Sequence, residues 1–473
     1  MRTCNSPLLL SILAILPFFY GCTNNQAGSG DSDTKPNIIF IMADDLGYGD
    51  LGCYGQQEIQ TPHLDKLAEN GLKLTNFYSG SPVCAPARSV LMTGLHTGHT
   101  TVRGNFGKGG VKGLGGGNGR VPLKGEDMTV AEVLKQAGYV TGMTGKWGLG
   151  EPGTTGLPND QGFDELFGFL NQRRAHDHYN DYIWKNKEKY EIPENRDGGE
   201  EVYTHNLFTH FALDFIDRHG GKEKPFFLYV PYLLPHADYE IPVINPIYTD
   251  KDWTENEKIH ASMVSLIDED VGKMVSLLKE KGIEKNTLLI FTSDNGAAKR
   301  WEGTFDSSGK LRGRKRDVYE GGIRVPLIIS MPGTVQKGQI NPSTGYFADI
   351  LPTVTDITAQ DIPDSLDGIS MKDIFLENME TDNQRILYWE FHEQGGKQAV
   401  RKGNWKAVRL DVHEKGFHDD IELYNLMDDP SESDDIADNH PDIVEQMKTI
   451  MKQEHERSKN FPFRFEIEAT SNE

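Results

Sequence analysis

Three stretches of the chain are almost purely apolar, at residues 37–43, 225–234 and 287–291. A short apolar run without alternating polar positions is typical of a strand that is buried on both faces of a sheet. Segments with helical spacing of apolar residues lie between these runs, at 128–137, 206–218 and 258–281. This order predicts an α/β fold in which helices sandwich a large, mostly parallel central sheet.

The pattern changes near residue 385. Short strand patterns in polar surroundings occur at 386–391, 398–400 and 405–410, and a charged helical pattern follows at 441–457. These features predict a smaller α+β subdomain with an antiparallel sheet and one helix. We therefore expect a main domain at 36–380 and a C-terminal subdomain at 381–473.

The N-terminus has the pattern of an export signal. Arg2 precedes an apolar stretch at 8–20, which is shorter than the roughly 20 residues of a membrane-spanning helix. Residues 1–22 resemble a lipoprotein signal that ends at Cys22, although aromatic residues replace the usual aliphatic and small ones before Gly21. A flexible tether is expected at 23–35. We expect a lipid anchor at Cys22 and a location in the periplasm or at the surface of a Gram-negative bacterium, with ordinary secretion as the alternative.

Charge and cysteine content narrow the function classes. The net charge of −22 argues against a nucleic-acid partner, whose binding depends on neutralising phosphates, but allows an anionic small ligand in a local cationic pocket. Beyond Cys22 the chain keeps only Cys53 and Cys84, so it is not a disulfide scaffold. A disulfide between these two cysteines stays open.

Four predicted strands end in chemically active residues, and the carboxyl ends of parallel strands lie along one edge of a sheet. The residues are Asp44 with Asp45, Lys146, His236, and Asp294 with Asn295. Adjacent carboxylates beside a core repel each other, and Ca²⁺ or Mg²⁺ would relieve that repulsion with the oxygen ligands that these ions prefer. The alternative is that the aspartates only cap the strand ends.

Positive charge is concentrated at 310–316, where five of seven residues are basic. Together with a metal, such a cluster suits an anionic substrate. A solvated loop is the alternative. His236 is either a structural histidine or a general acid.

Cys84 opens the motif Cys84-Ala85-Pro86-Ala87-Arg88. Because a proline disfavours the helical conformation of the residue before it, we expect a helix that begins at about Pro86 and ends at Gly94. Cys84 would then lie at the mouth of the helix, with Arg88 one turn further on. A lone cysteine is more often a buried apolar residue, so the motif decides nothing by itself.

Taken together, these motifs resemble the formylglycine-dependent (type I) sulfatases of the alkaline-phosphatase-like superfamily, and especially exported bacterial glycan sulfatases. The resemblance implies that a maturation enzyme oxidises Cys84 to formylglycine (3-oxoalanine), whose hydrate attacks a sulfate ester. It also implies one Ca²⁺ ion held by Asp44, Asp45, Asp294 and Asn295 together with the modified Cys84.

The same resemblance assigns roles to the remaining residues. Arg88 would stabilise the hydrate, and Lys146 and Lys315 would bind the sulfate. His236 would protonate the leaving alcohol or bind its ester oxygen. One departure is visible: the family often has Gly-Lys-Trp-His, with the histidine in contact with the nucleophile, whereas this chain has Gly148 at that position.

A polar, aromatic stretch at 172–195 is interpreted as an inserted loop. Its residues 172–179, together with Arg103-Gly104-Asn105, look similar to exported bacterial sulfatases that act on galactose-type sugars, which makes Arg103, His176 and Asp177 candidate sugar contacts; a merely solvated loop is the alternative. The expected substrates are sulfated galactans or glycosaminoglycan fragments. A phosphatase, phosphodiesterase or phosphonate hydrolase of the same superfamily, and an inactive glycan-binding lipoprotein, stay open.

Overall fold

The computed structural model describes Met1 and residues 35–114, 119–381, 384–414, 419–464 and 466. The predicted signal at 1–22, its anchor residue Cys22 and the tether to residue 34 lie outside the described residues, apart from Met1. Everything described below belongs to the unit that begins at Lys35. In the described part of the chain, no helix combines the length and apolar character that crossing a membrane requires.

A ten-stranded sheet forms the centre of the fold, in the order β10-β2-β9-β8-β1-β7-β3-β4-β5-β6. The pairs from β8 through β1, β7 and β3 to β4 are parallel, as is β10 with β2, whereas β9 and the β5–β6 hairpin pair antiparallel. The strands are β1 (Asn37–Ala43), β2 (Leu72–Tyr78), β3 (Val140–Lys146), β4 (Glu165–Phe169), β5 (Tyr182–Lys185), β6 (Glu188–Glu191), β7 (Phe226–Pro231), β8 (Thr287–Ser293), β9 (Arg324–Ser330) and β10 (Gln339–Tyr346).

A second, four-stranded sheet is antiparallel throughout, as the C-terminal sequence predicted. Its strands are β11 (Ile386–Phe391), β12 (Lys397–Lys402), β13 (Trp405–Leu410) and β14 (Glu422–Asn425). The helices are α1 (Pro62–Glu69), α2 (Cys84–Thr93), α3 (Val130–Gln136), α4 (Thr204–His219), α5 (Glu255–Glu280), α6 (Glu320–Ile323), α7 (Ile350–Ile357), α8 (Lys372–Glu377) and α9 (Pro441–Gln453). The α/β fold class is confirmed, whereas the boundary at 380/381 stays a prediction.

Strand β1 shows why the central strands have unbroken apolar sequences. Side chains of a strand alternate between the faces of the sheet, and here both faces are covered. Ile38 and Phe40 pack into the core that α2, α3 and α7 cover, whereas Ile39 and Ile41 pack into the core that α1, α4 and α5 cover. A polar residue at any of these positions would be buried.

Two expectations about local structure were wrong. The stretch at 172–195 is not only a loop, because it contains the β5–β6 hairpin that extends the central sheet beyond β4. Helix α2 begins at Cys84, two residues before the expected start at Pro86. A proline is tolerated there because the first N–H groups of a helix have no acceptor within the helix.

A buried ion network connects the two sheets. Lys406 on β13 contacts Glu320 of α6 at 2.9 Å and Glu432 at 2.7 Å, and all three side chains are fully buried. Burial alone would raise the pKa of Glu320, but the Lys406 ammonium and the Arg324 guanidinium lower it below its usual value. At Glu432, burial outweighs the charge of Lys406 and raises the pKa. The C-terminal sheet is thus held to the central one partly by a single buried cation.

Replacing Lys406 with methionine should therefore lower the free energy of unfolding by about 3–5 kcal/mol, because two buried carboxylates lose their shared counterion. Urea unfolding followed by tryptophan fluorescence measures the change. Lys222→Met, at an exposed position, is the matched control and should stay within about 0.5 kcal/mol of the wild type. Equal stabilities of the two variants would contradict the role given to the network.

Candidate active site

The strand-end residues converge at the carboxyl edge of the central sheet. Strand β1 lies between β7 and β8 in parallel register, with Ala43 opposite Ser293. The N–H of Asp294 donates to the carbonyl of Ala43 at 3.0 Å, and the N–H of Asp44 donates to the carbonyl of Leu234 at 2.9 Å. These backbone bonds extend past the strand ends and bring the carboxylates of neighbouring strands together.

Cys84 is the first residue of α2 and points into this cluster. Its Sγ lies 3.4 Å from Asp44 Oδ1, and the next amide, that of Ala85, donates to Asn105 Oδ1 at 3.3 Å. Burial, reinforced by the charge of Asp44, raises the pKa of the Cys84 thiol to about 12. Because the thiolate is the nucleophilic form of cysteine, the unmodified side chain is a poor nucleophile in this structure.

Three buried cations balance the carboxylates. Arg88 Nη2 lies 2.8 Å from Asp294 Oδ2 and 3.3 Å from Asp44 Oδ2. The other two contacts are Lys146 Nζ with Asp44 Oδ2, and Lys315 Nζ with Asp45 Oδ2 at 2.7 Å. All of these side chains are less than a tenth exposed.

The pKa values of the three carboxyl groups shift in different directions. Burial would raise the pKa of Asp44, but the surrounding cations, Lys146 first among them, lower it well below its usual value. Burial and the charge of Asp44 raise the pKa of Asp294 to about 6. Asp45 also has a raised pKa, chiefly because it is buried. The neighbouring cations therefore outweigh burial at Asp44 but not at Asp45 or Asp294.

The donor atoms suit a hard divalent cation. Asn295 Nδ2 donates to Asp45 Oδ1 at 2.7 Å, which leaves Asn295 Oδ1 buried and without a partner among the described residues. Ligand atoms of Asp44, Asp45, Cys84 and His236 all lie within 4.8 Å of one another. Carboxylate and amide oxygens are typical ligands of Ca²⁺ and Mg²⁺. The cluster could therefore bind a metal ion, and the orphaned amide oxygen is the observation that fits one best.

His236 lies beside this cluster, with Nε2 at 3.4 Å from Asp45 Oδ2 and its ring 4.3 Å from that of His176. Burial, together with the charge of Lys315, lowers the pKa of His236 well below its usual value. The imidazole is therefore neutral at neutral pH in this structure and can still donate one hydrogen bond.

A cleft of about 640 Å³ opens above the cluster and gives access to Cys84. Five cationic and four carboxylate side chains line its wall. The charged and histidine side chains that line it are Asp45, Arg120, Arg173, His176, His236, Asp238, Arg314, Lys315, Arg316, Asp317 and Glu393. An anionic ligand with polar substituents matches such a wall.

The structure places two of the three candidate sugar contacts outside the lining of the cleft. Arg103 is buried, and its Nη1 lies 3.0 Å from Glu390 Oε1, so its guanidinium serves a buried ion pair. Asp177 is exposed, and its Oδ1 accepts the N–H of Tyr179 at 2.7 Å. Only His176 lines the cleft. The expected contact through Arg103 does not match its position.

Several lining residues escaped the sequence analysis as candidates, among them Asn105, Arg120 and Gln172. Gln172 comes three residues after β4, as Lys146 comes at the end of β3. The strand-end rule that identified the other residues would have found Gln172 if β4 had been recognised. Asn105 belongs to the Arg103-Gly104-Asn105 stretch, in which the sequence singles out only Arg103 as a candidate, and Arg120 follows a glycine-rich segment without periodicity that gives no signal for it.

Comparisons with known proteins identify the family of this chain. The sulfatase family model matches residues 36–360, and the model of the N-sulphoglucosamine sulphohydrolase C-terminal region matches residues 313–459. The chain belongs to the sulfatase family, within the alkaline-phosphatase-like superfamily. It is an enzyme that hydrolyses sulfate esters.

Individual relatives cover most of the chain. The N-acetylgalactosamine-6-sulfatase of Canis lupus familiaris is 32% identical over 80% of this chain and 73% of its own length. The N-acetylgalactosamine-6-O-sulfatase of Bacteroides thetaiotaomicron is 28% identical over 95% of this chain and 99% of its own. The crystal structure of Ps i-CgsB in complex with k-i-k-neocarrahexaose superposes with a TM-score of 0.77 at 27% identity, covering 92% of this chain and 96% of that one.

A divalent cation should stabilise the folded protein through the carboxylate cluster. Calcium added to chelator-treated protein should raise the midpoint of thermal unfolding, with a gain of about 2.7 kcal/mol when its concentration is 100 times the dissociation constant. Asp294→Asn should lose most of this gain, each protein being compared with its own metal-free form. Asp250→Asn, at an exposed position, should keep it. Equal gains in both variants would contradict a metal at this site.

Proposed function

We propose that the enzyme removes 6-O-sulfate from galactose-configured saccharides, using a formylglycine made from Cys84 and one Ca²⁺ ion. The observation that carries this proposal is the position of Cys84. Its side chain contacts a buried carboxylate cluster on one side and opens to the charged cleft on the other. A nucleophile placed there meets an anionic ester next to the charges that neutralise it.

Asp44, Asp45, Asp294 and Asn295 would hold the calcium ion, which supplies positive charge to the oxygens of the sulfate. Conversion of Cys84 to the aldehyde would supply, once hydrated, two hydroxyls on one carbon. Attack of the first on sulfur would break the ester S–O bond and release the protonated sugar alcohol, and loss of the second hydroxyl's proton would reform C=O, break the C–O bond to sulfate and release sulfate, after which water rehydrates the aldehyde. An unmodified thiol has no second hydroxyl and would stop after the first step. The maturation enzyme that makes the aldehyde is therefore a required partner.

The remaining residues bind and orient. Arg88 contacts both Asp44 and Asp294 from inside α2, so it fixes the position of Cys84 relative to the carboxylates. Lys315 brings an ammonium group to the lining of the cleft, where the sulfate would be bound, and the buried Lys146 adds its charge from behind, against Asp44. Between the two roles open for His236, its lowered pKa favours a hydrogen bond from the neutral ring to the ester oxygen.

The names of the relatives and the charge of the cleft support the choice of sugar. Two relatives are named N-acetylgalactosamine-6-sulfatase or N-acetylgalactosamine-6-O-sulfatase, and one solved relative is in complex with k-i-k-neocarrahexaose. The lining of the cleft adds Arg120, Arg173 and Arg314 as well as Asp238, Asp317 and Glu393, which suits a polar saccharide that carries an anionic group. Export and a lipid anchor at Cys22, as expected from the N-terminal pattern, would place the enzyme where external glycans are degraded.

Mass spectrometry of the peptide that contains Cys84, from protein made in its native host, should show the aldehyde in place of the thiol. Cys84→Ala should reduce sulfatase turnover by at least about a thousandfold, the order of loss when a nucleophile is removed. Cys53→Ala, at the other described cysteine, is the control and should stay active. A fully unmodified thiol would instead indicate an inactive, glycan-binding protein.

The preferred substrate should be a 6-O-sulfated N-acetylgalactosamine or galactose unit. We expect its kcat/KM to exceed that of the 4-O-sulfated isomer by at least about tenfold, because misplacing the ester removes it from the positioned charges. Desulfation of defined saccharides followed by chromatography gives the ratio. Turnover of aryl sulfate and of aryl phosphate, assayed side by side, tests whether the enzyme is a sulfatase or a phosphatase. Faster turnover of the phosphate would contradict the sulfatase reaction. A preference for the 4-O-sulfated isomer would contradict only the proposed position of the sulfate.

A further inference from the structure

The side chain of Gln172 fills the space that a side chain at position 148 would need. Gly148 has a φ of +83°, a region that favours glycine, and a Cβ atom there would lie 2.7 Å from Gln172 Nε2 and 2.8 Å from Gln172 Cγ. Any side chain at position 148 would have to displace the glutamine. The departure from the Gly-Lys-Trp-His motif therefore coincides with a second polar side chain that fills the adjoining volume.

The sheet brings the two residues together. Strands β3 and β4 are parallel, and their pairing continues beyond Lys146. Trp147 N–H donates to the carbonyl of Phe169 at 2.8 Å, and Gly148 N–H donates to the carbonyl of Leu170 at 3.0 Å. The backbone that carries Gln172 thus leaves the sheet beside the backbone that carries the catalytic-site lysine, and its position is set by the same hydrogen-bond ladder.

The Gln172 side chain has an unused donor. The residue is only 5% exposed, and its Nε2 is buried with no hydrogen-bond partner among the described residues. A buried donor without an acceptor costs about 1–3 kcal/mol, so such groups in folded proteins usually have a partner. Gln172 lines the same cleft as Cys84 and Lys315, so the missing acceptor can be supplied by a ligand in that cleft.

A second donor of the cleft is in the same state. Arg120 stacks on the ring of Phe106 and donates from Nη1 to the carbonyl of Asn105 at 2.9 Å, yet its buried Nε has no partner in the described part of the chain. Both residues line the cleft, and each carries a buried donor that no described residue satisfies. The ester and sulfate oxygens of the substrate are acceptors.

We propose that Gln172 is a substrate-binding residue whose amide, seated against Gly148, donates a hydrogen bond to an oxygen of the bound sulfate group. The proposal rests on the proposed function, since it needs a sulfate ester in the cleft. The amide does not titrate, so Gln172 contributes to binding without taking part in proton transfer. Such a contact stabilises the bound substrate and the transition state equally. Its loss therefore raises KM and leaves kcat nearly unchanged.

The test uses inorganic sulfate as the probe, with full-length protein in calcium-containing buffer and affinity measured by calorimetry. Gln172→Leu should bind sulfate about 10- to 100-fold more weakly than wild type, the loss expected for a donor to a charged oxygen. Its KM for aryl sulfate should rise by a similar factor. Gln453→Leu, at an exposed position at the end of α9, is the matched control and should bind as wild type does.

Gln172→Glu retains the size of the side chain and covers the case in which leucine disturbs folding. Its carboxylate would repel sulfate, so binding should be weaker than in Gln172→Leu at unchanged thermal stability. Sulfate affinity within about twofold of wild type in either folded variant overturns the role of Gln172 alone. A wild-type protein that binds no sulfate overturns the proposed function together with it.

Discussion

The whole site depends on one balance of buried charge. Asp44, Asp45 and Asp294 lie at the ends of two adjacent strands, and Arg88, Lys146 and Lys315 reach them from a helix, a third strand and a loop. Removing an ion from water costs several kcal/mol even after relaxation, so no member of this set would be tolerated alone. The cores on both faces of the sheet stabilise the backbone that holds all of them in register. Loss of a single member should therefore disturb folding as well as chemistry.

The sequence reveals most about elements whose surroundings are uniform. The run at Asn37–Ala43 is predicted to the residue, because a strand covered on both faces must be apolar throughout. The hairpin that ends the sheet gives no such signal. Strand β6 is exposed along its whole length and consists of Glu188–Glu191, so neither burial nor alternation marks it. Pairing with β5 alone makes it a strand.

In the site, too, some residues can be predicted from the sequence and others cannot. Residues that follow buried strands converge, because parallel strands share a carboxyl edge whatever the detailed packing. Residues in loops depend on partners far away in sequence. Arg103 was expected to face a sugar, but it pairs with Glu390, which lies 287 positions further along the chain. The sequence around Arg103 does not show whether its guanidinium binds a ligand or pairs with a buried carboxylate.

The same charge balance explains how an acidic protein can bind an anionic substrate. The net charge is −22, so the field of the whole molecule repels sulfate at long range. Within the cluster, three cations already match three carboxylates. A divalent metal ion would therefore leave an excess of two positive charges at the base of the cleft, enough to attract a monoanionic ester. Salt screens the repulsion from distant surface charges more strongly than the attraction inside a buried site, so the local excess decides binding at physiological ionic strength.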